Sequence, residues 1–178
     1  MLLELFSANQ SPAVIQLFTE VFSDSEGKEE GQLIGHLVTD IVANTKAEDL
    51  IGFVALEDKE IVASIFFSRL VLPNKQAGYI LSPVAVATRQ QGKGVGQKLI
   101  NAGIKHLRAL GGEVLVTYGD PSFYSKVGFS QISQDMIKAP LVLSHPEGWL
   151  AQSLSEEPLV PITGETACIE ALNHQKYW

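Results

Sequence analysis

The chain has 178 residues, 46% of them hydrophobic and 19% charged, with a net charge of −7. That is one domain's worth of chain, 1–178, with a substantial core, and the balance excludes a disordered chain. A sequence pI near 5.0 excludes nucleic-acid binding as the main role, because the phosphate interaction would be repulsive overall. No apolar run reaches about 18 residues and the first ten residues hold no basic residue, so neither a membrane span nor a signal peptide is expected; the default address is cytoplasmic.

In chain order, residues 2–6 read as a short strand. Ser11 is placed to cap a helix with Pro12 at its first position, and Val14, Ile15, Leu17, Phe18, Val21 and Phe22 supply its buried face. Residues 23–28, SDSEGK, read as a polar loop, and residues 29–44 as a second helix carrying Leu33, Ile34, Leu37, Val38 and Ile41. Residues 50–56 and 61–70 form a hairpin about a turn at 57–59, and a Pro73-Asn74 turn leads into a strand over 77–86. Ser82-Pro83 lies within that strand, where a proline cannot donate to a ladder, so a bulge or splay is expected just before Val84; an edge strand is the alternative.

A helix follows from Val95, then Gly111-Gly112 and a strand over 114–118. Asp120 caps a short helix that begins at Pro121 and ends at Gly128. Further strand-like pieces fall at 129–132, 139–143 and 162–172, and Trp149-Leu150 reads as the start of a helix ending near Leu154. Hairpins followed by strands around a helix give an α/β, mixed sheet. Cys168, the only cysteine, excludes an internal disulfide and a thiolate metal cluster and is expected as a small buried apolar residue. His36, His106, His145 and His174 show no metal spacing, and no Gly-x-Ser-x-Gly nucleophile is present.

Charge is uneven along the chain. From Glu20 to Glu60 there are eleven acidic residues against Lys28, Lys46 and Lys59. From Ile61 to Gly112 there are none, against seven basic ones. A polyanion on the middle segment and a cationic acceptor facing the first third would match that pattern; solvated faces are the alternative.

The segment Val84 to Gly96, VAVATRQQGKGVG, passes from a β-branched run through a glycine-rich basic turn into a helix. Gly92, Gly94 and Gly96 let backbone N–H groups approach a bulky anion at a helix start, so the loop suits phosphate. A nucleotide-triphosphate loop would need Ser or Thr where Gly94 stands. A dinucleotide loop would need glycine where Gln97 stands, and an acidic residue about 20 positions on, where only Glu113 at the next strand appears.

The segment instead resembles the acyl-CoA-binding motif Gln/Arg-x-x-Gly-x-Gly/Ala of the GCN5-related N-acetyltransferase (GNAT) superfamily, through Gln91, Gly94 and Gly96 and again through Arg89, Gly92 and Gly94. A second match runs from Gly119 through Asp120, Pro121 and Tyr124 to Gly128-Phe129 and is similar to the tyrosine-bearing helix of the YhbS-like branch. The resemblance is good over residues 50–129. It implies a mixed, mostly antiparallel central sheet flanked by helices, with acetyl-CoA as co-substrate and no metal. It further implies pyrophosphate binding by the backbone of Gln91, Gly92, Lys93, Gly94, Val95, Gly96 and Gln97, and pantetheine pairing with the main chain of Val84, Ala85 and Val86.

Under the same resemblance Tyr124 is the general acid that protonates the departing thiolate; the plain alternative is a core tyrosine with its hydroxyl at the rim. Many family members carry a glutamate where Ser82 stands, which leaves Glu20 and Asp24 as candidate bases and Asp120 as a cap. The activity implied is acetyl transfer to a primary amine, in a small molecule or a peptide, by direct attack. The first two helices and their loop border the acceptor site, the tail walls it off, and a homodimer is common among relatives. A non-catalytic acyl-CoA-binding module is the alternative that the missing glutamate favours. A nucleotide-binding protein is a third.

Overall fold

The computed structural model describes residues 1–178. Seven strands, β1 (Leu2–Leu5), β2 (Leu50–Glu57), β3 (Glu60–Val71), β4 (Ala77–Val86), β5 (Val114–Tyr118), β6 (Ser130–Gln131) and β7 (Trp149–Ser153), form one sheet in the order β1-β2-β3-β4-β5-β7-β6. Four α-helices accompany it: α1 (Ser11–Glu26), α2 (Lys28–Asn44), α3 (Val95–Ala109) and α4 (Pro121–Tyr124). β4 and β5 run parallel because α3 carries the chain back between them, whereas β1–β2, β5–β7 and β6–β7 are antiparallel. The expected mixed, mostly antiparallel sheet is therefore present.

Contacts group the chain into two units, Met1–Phe66 with Pro83–Gly103, and Phe67–Ser82 with Ile104–Trp178. In the first, Phe66 on β3 meets Phe6 edge-on at 5.2 Å and stacks with Phe18 of α1 at 6.1 Å, and Val14, Val38, Ile41, Val54 and Leu99 are fully buried around them. The β2–β3 turn takes Asp58 and Lys59 to φ of 50° and 68°, the twist a two-residue hairpin loop needs.

Two local expectations change here. Residues 23–28 are helical except Gly27, which at φ 100° alone separates α1 from α2; packing of the two helices overrides the weak propensity of serine and aspartate. Helix α1 is capped from Gln10, not Ser11, whose hydroxyl donates to the Ala8 carbonyl at 2.7 Å, and Pro12 still falls within the first turn.

The second unit is built on β5, β7 and the C-terminal aromatic residues. Trp149 is fully buried, donates its indole N–H to the Ile137 carbonyl at 2.8 Å, and lies 6.1 Å from Trp178, which stacks on Tyr118 at 6.0 Å. Residues 149–153 form strand β7, not the expected helix, because Trp149 to Ser153 pair with β5 on one side and Leu150 and Ala151 pair with β6 on the other. The pieces at 139–143 and 162–172 are not strands: the second enters only single bridges, Ile137↔Ile162 and Val71↔Ala167, and the first enters none. Cys168 is half-buried rather than buried, and burial pushes its thiol up from the ordinary range.

Candidate active site

The glycine-rich segment sits where β4 ends. Ala87 N–H closes on the Val62 carbonyl at 2.8 Å, a short turn spans Thr88–Gln90, and the Gln91 side-chain amide donates back to the Val86 carbonyl at 3.0 Å. The motif's glutamine thus fastens the loop to its strand. Gly92 and Gly94 take φ of 75° and 76°, and no atom lies within 4 Å of the place a Cβ would occupy at either. That conformation is strained for any other residue, and it presents bare backbone to open space. Lys98 N–H bonds the Gly94 carbonyl at 3.0 Å, so α3 starts there. The amides of its first turn, at Val95, Gly96 and Gln97, have no partner within the helix and point from the positive end of the dipole.

Side chains around the loop are tied to the acidic first third of the chain. Thr88 donates to Asp24 at 2.8 Å, Arg89 pairs with Glu60 at 2.8 Å, and Gln90, itself buried, donates to Glu57. Three acidic residues that composition alone assigns to an acceptor face are instead fasteners of this loop. Lys93 reaches the Gln90 side-chain oxygen at 3.3 Å and is exposed, as is Lys98. Val84 and Val86 are half-buried, while the Ala85 side chain is 1% exposed and can offer a ligand only its main chain.

The second unit holds the end of a parallel ladder and a phenol. The parallel ladder of β4 with β5 pairs Gly78 through Leu81 with Val114 through Thr117 and stops there, although β4 continues to Val86. The pairing thus ends two residues before Pro83, which is buried in a central strand, not an edge, and has no N–H for a rung of its own. Thr117, 1% exposed, closes the ladder by donating its hydroxyl to the Leu81 carbonyl at 2.8 Å.

Tyr124 lies just past the end of β5, its ring beside Gly119. Asp120 caps α4 by accepting from the Ser122 amide at 2.9 Å; Ser122, by its hydroxyl and then its amide, holds the Asp120 carboxyl below the usual carboxylate range. Gly128 ends the turn at φ 93°. The Tyr124 ring lies edge-on to Phe123 at 5.0 Å and to Phe129 at 5.6 Å, and a Cβ on Gly119 would come within 2.7 Å of it. Burial pushes the phenol up to about 12; the Thr117 hydroxyl pulls the other way and Asp120 adds to the rise. The Tyr124 phenol is thus un-ionised at neutral pH, and its half-buried ring lies between those of Phe123 and Phe129.

The candidate bases are less distinctive. Glu20 is exposed and accepts from Gln16 at 2.7 Å, Asp24 is exposed and occupied by Thr88, and Ser82 is half-buried on β4. Sequence reasoning missed Thr117, though the signal was present: one hydroxyl inside the apolar run VLVTY.

Comparison with known proteins agrees with this geometry. The chain is 29% identical over 140 residues to the uncharacterized N-acetyltransferase YjhQ of Escherichia coli (strain K12), covering 75% of this chain and 77% of that protein. Its fold superposes with a TM-score of 0.81 on the crystal structure of the Escherichia coli GNAT family N-acetyltransferase YhbS in complex with CoA, at 22% identity, over 97% and 92% of the two chains. A GNAT family acetyltransferase from Brucella melitensis in complex with acetyl-CoA gives a TM-score of 0.71 at 24% identity, over 96% and 98%. The family model "Acetyltransferase (GNAT) family" matches residues 11–129, which takes in α1, the glycine loop, the end of the β4–β5 ladder and the tyrosine turn. The chain accordingly belongs to the GNAT family of acetyltransferases.

Proposed function

We propose that the protein moves an acetyl group from the CoA thioester to a primary amine by direct attack, with Tyr124 as the general acid. The observation that carries this reading is a phenol beside Gly119, just past the point where the β4–β5 ladder stops at Leu81 and Thr117. The loop fits the co-substrate's pyrophosphate by an independent feature, the bare backbone at Gly92 and Gly94 with open space at both Cβ positions. Acetyl-CoA supplies an acyl group on a good leaving thiolate. The chain's own residues supply position and a proton.

The amides of Gly92, Lys93, Gly94, Val95, Gly96 and Gln97 bind the diphosphate, that of Gln91 already donates to the Thr88 carbonyl at 3.3 Å, and the exposed Lys93 adds a positive charge. Val84, Ala85 and Val86 lie beyond the last β4–β5 rung, so main-chain groups on that side are available to orient the pantetheine arm. Tyr124 then gives its proton to sulfur as the tetrahedral adduct collapses. A phenol is a weak acid at neutral pH, but a leaving alkyl thiolate in an apolar site is basic enough to take the proton. No covalent enzyme intermediate is involved. Because Ser82 stands where a carboxylate base would, the amine enters already neutral or loses its proton to water.

Calorimetric titration tests the binding half: acetyl-CoA binds the wild type, ATP and NAD do not, and Gly94→Glu, which fills the open face with a negative side chain, abolishes binding. Release of CoA thiol with a panel of primary amines tests the chemical half. Tyr124→Phe keeps acetyl-CoA affinity and loses about 100-fold or more in turnover. Equal turnover in that variant removes Tyr124 from the mechanism. Binding without thiol release from any amine favours the acyl-CoA-binding module instead.

A further inference from the structure

The turn that carries Tyr124 is fastened at both ends, and at its far end the fastening comes from a distant strand. At its start the exposed Asp120 caps α4 through the Ser122 amide. Toward its end the Gly128 amide donates to the Ser125 carbonyl at 3.3 Å and the Phe129 amide to the Tyr124 carbonyl at 3.2 Å. The Val127 carbonyl is taken by a side chain, as the last carbonyls of a helical turn often are. Gln152 of β7, 9% exposed, donates its side-chain amide to it at 2.9 Å.

Register explains why a side chain serves there. Ser130 pairs with Ala151 and Gln131 with Leu150, so Phe129 would come next, opposite Gln152. The Phe129 amide turns back to Tyr124 instead, and the β6–β7 ladder ends. The glutamine side chain spans the gap that a backbone rung no longer closes. Gly128 leaves room for it: it stands at φ 93°, and a Cβ there would lie 3.2 Å and 3.5 Å from the oxygen and nitrogen of the Gln152 amide. On its other side Gln152 pairs with Leu115 of β5, the strand that ends just before Gly119 and the Tyr124 ring.

We propose that Gln152 is a positioning residue for acetyl transfer, whose buried amide anchors the tyrosine turn to the sheet and so fixes the Tyr124 phenol relative to β5. This rests on the general-acid reading of Tyr124. A general acid acts only within hydrogen-bond reach of the atom it protonates, and a misplacement of about 1 Å costs about 100-fold. Asp120, Phe123 and Phe129 confine the phenol from within its own segment, whereas Gln152 ties that segment to another strand.

Two variants remove the donor and keep the volume: Gln152→Met, and Gln152→Glu, whose carboxylate turns an oxygen toward the carbonyl. Hydrogen exchange read by mass spectrometry tests the anchor without reference to activity. In both variants the amides of Gly128 and Phe129 exchange about 10-fold faster than in the wild type, while those of β5 keep their rates. Unchanged exchange at Gly128 and Phe129 overturns the proposal.

Turnover tests the positioning. Each variant lowers kcat about 10-fold at unchanged KM for acetyl-CoA, whose proposed contacts lie in the other unit. Neither lowers the turnover of Tyr124→Phe further, because no phenol proton is left to aim. An equal loss in both backgrounds means that Gln152 serves stability alone, and that overturns the proposal. If Tyr124→Phe itself turns over like the wild type, the general-acid reading falls and this inference with it. If Tyr124→Phe is impaired while both Gln152 variants match the wild type, this inference alone falls.

Discussion

The packing of α1 on α2 makes a sharp prediction about two glycines one helical turn apart. A Cβ at Gly31 would sit 1.8 Å from the Ser23 hydroxyl, 2.5 Å from the Thr19 carbonyl and 2.8 Å from the Ser23 amide. The hydroxyl can rotate away, but the two backbone atoms cannot. To reach ordinary contact at 3.4 Å the helices must part by about 0.9 Å, which loosens every side chain between them. Such overpacking costs about 1–3 kcal/mol, and the better helix propensity of alanine returns up to about 1 kcal/mol. Gly31→Ala is therefore less stable by about 1–2 kcal/mol, or about 3–8 °C in melting temperature for a chain of this size.

Gly35 is the informative contrast. There the only atom too close is the Thr19 hydroxyl at 2.3 Å; the next, Thr19 Cβ, is at 3.5 Å. Removing that hydroxyl with Thr19→Ala relieves Gly35→Ala, so the double variant is at least as stable as the wild type, with a coupling of about 1 kcal/mol. Ser23→Ala does not relieve Gly31→Ala, since the backbone contacts persist. Urea unfolding followed by circular dichroism, with constant m, measures all five variants. Wild-type stability in Gly31→Ala, or its rescue by Ser23→Ala, would refute the rigid-backbone reasoning.

Two further outcomes are expected. The Tyr124 phenol is raised from 10.0 to about 12 in the folded protein, so its contribution is fully present below pH 10 and is lost as pH rises through 12. Over that window the wild type loses up to about 2–3 kcal/mol more stability than Tyr124→Phe, read as the pH dependence of urea midpoints; parallel curves would mean the phenol is not enclosed. The β2–β3 turn holds Asp58 and Lys59 at positive φ, so the pair Asp58→Asn with Lys59→Gly, which favours that turn, raises stability by about 0.5–1 kcal/mol. A lower urea midpoint would show that the two side chains contribute more than their backbone strain costs.

Much of the molecule was legible because it is locally encoded. The glycine loop, the Asp120-Pro121 cap and the Gly128 terminator depend on φ preferences and near-neighbour hydrogen bonds, and each is found where residue type placed it. Pro83 likewise announced the end of the β4–β5 ladder. Short runs without such punctuation misled. Trp149 to Ser153 carry no signal separating strand from helix, and two flanking strands settled the matter. Residues 139–143 and 162–172 have strand composition but find no ladder: the first pairs with nothing and the second makes only single bridges.

The sequence by itself determined the mixed sheet, the glycine-rich loop and the capped tyrosine turn, since backbone conformations available to glycine, proline and aspartate are properties of a few adjacent residues. Only the tertiary structure decided which polar side chains those pieces would meet. That Asp24, Glu57 and Glu60 fasten the loop, and that the Thr117 hydroxyl bonds the Leu81 carbonyl, follows from contacts between residues far apart in the chain. Their pairing depends on register and burial, which no local preference encodes.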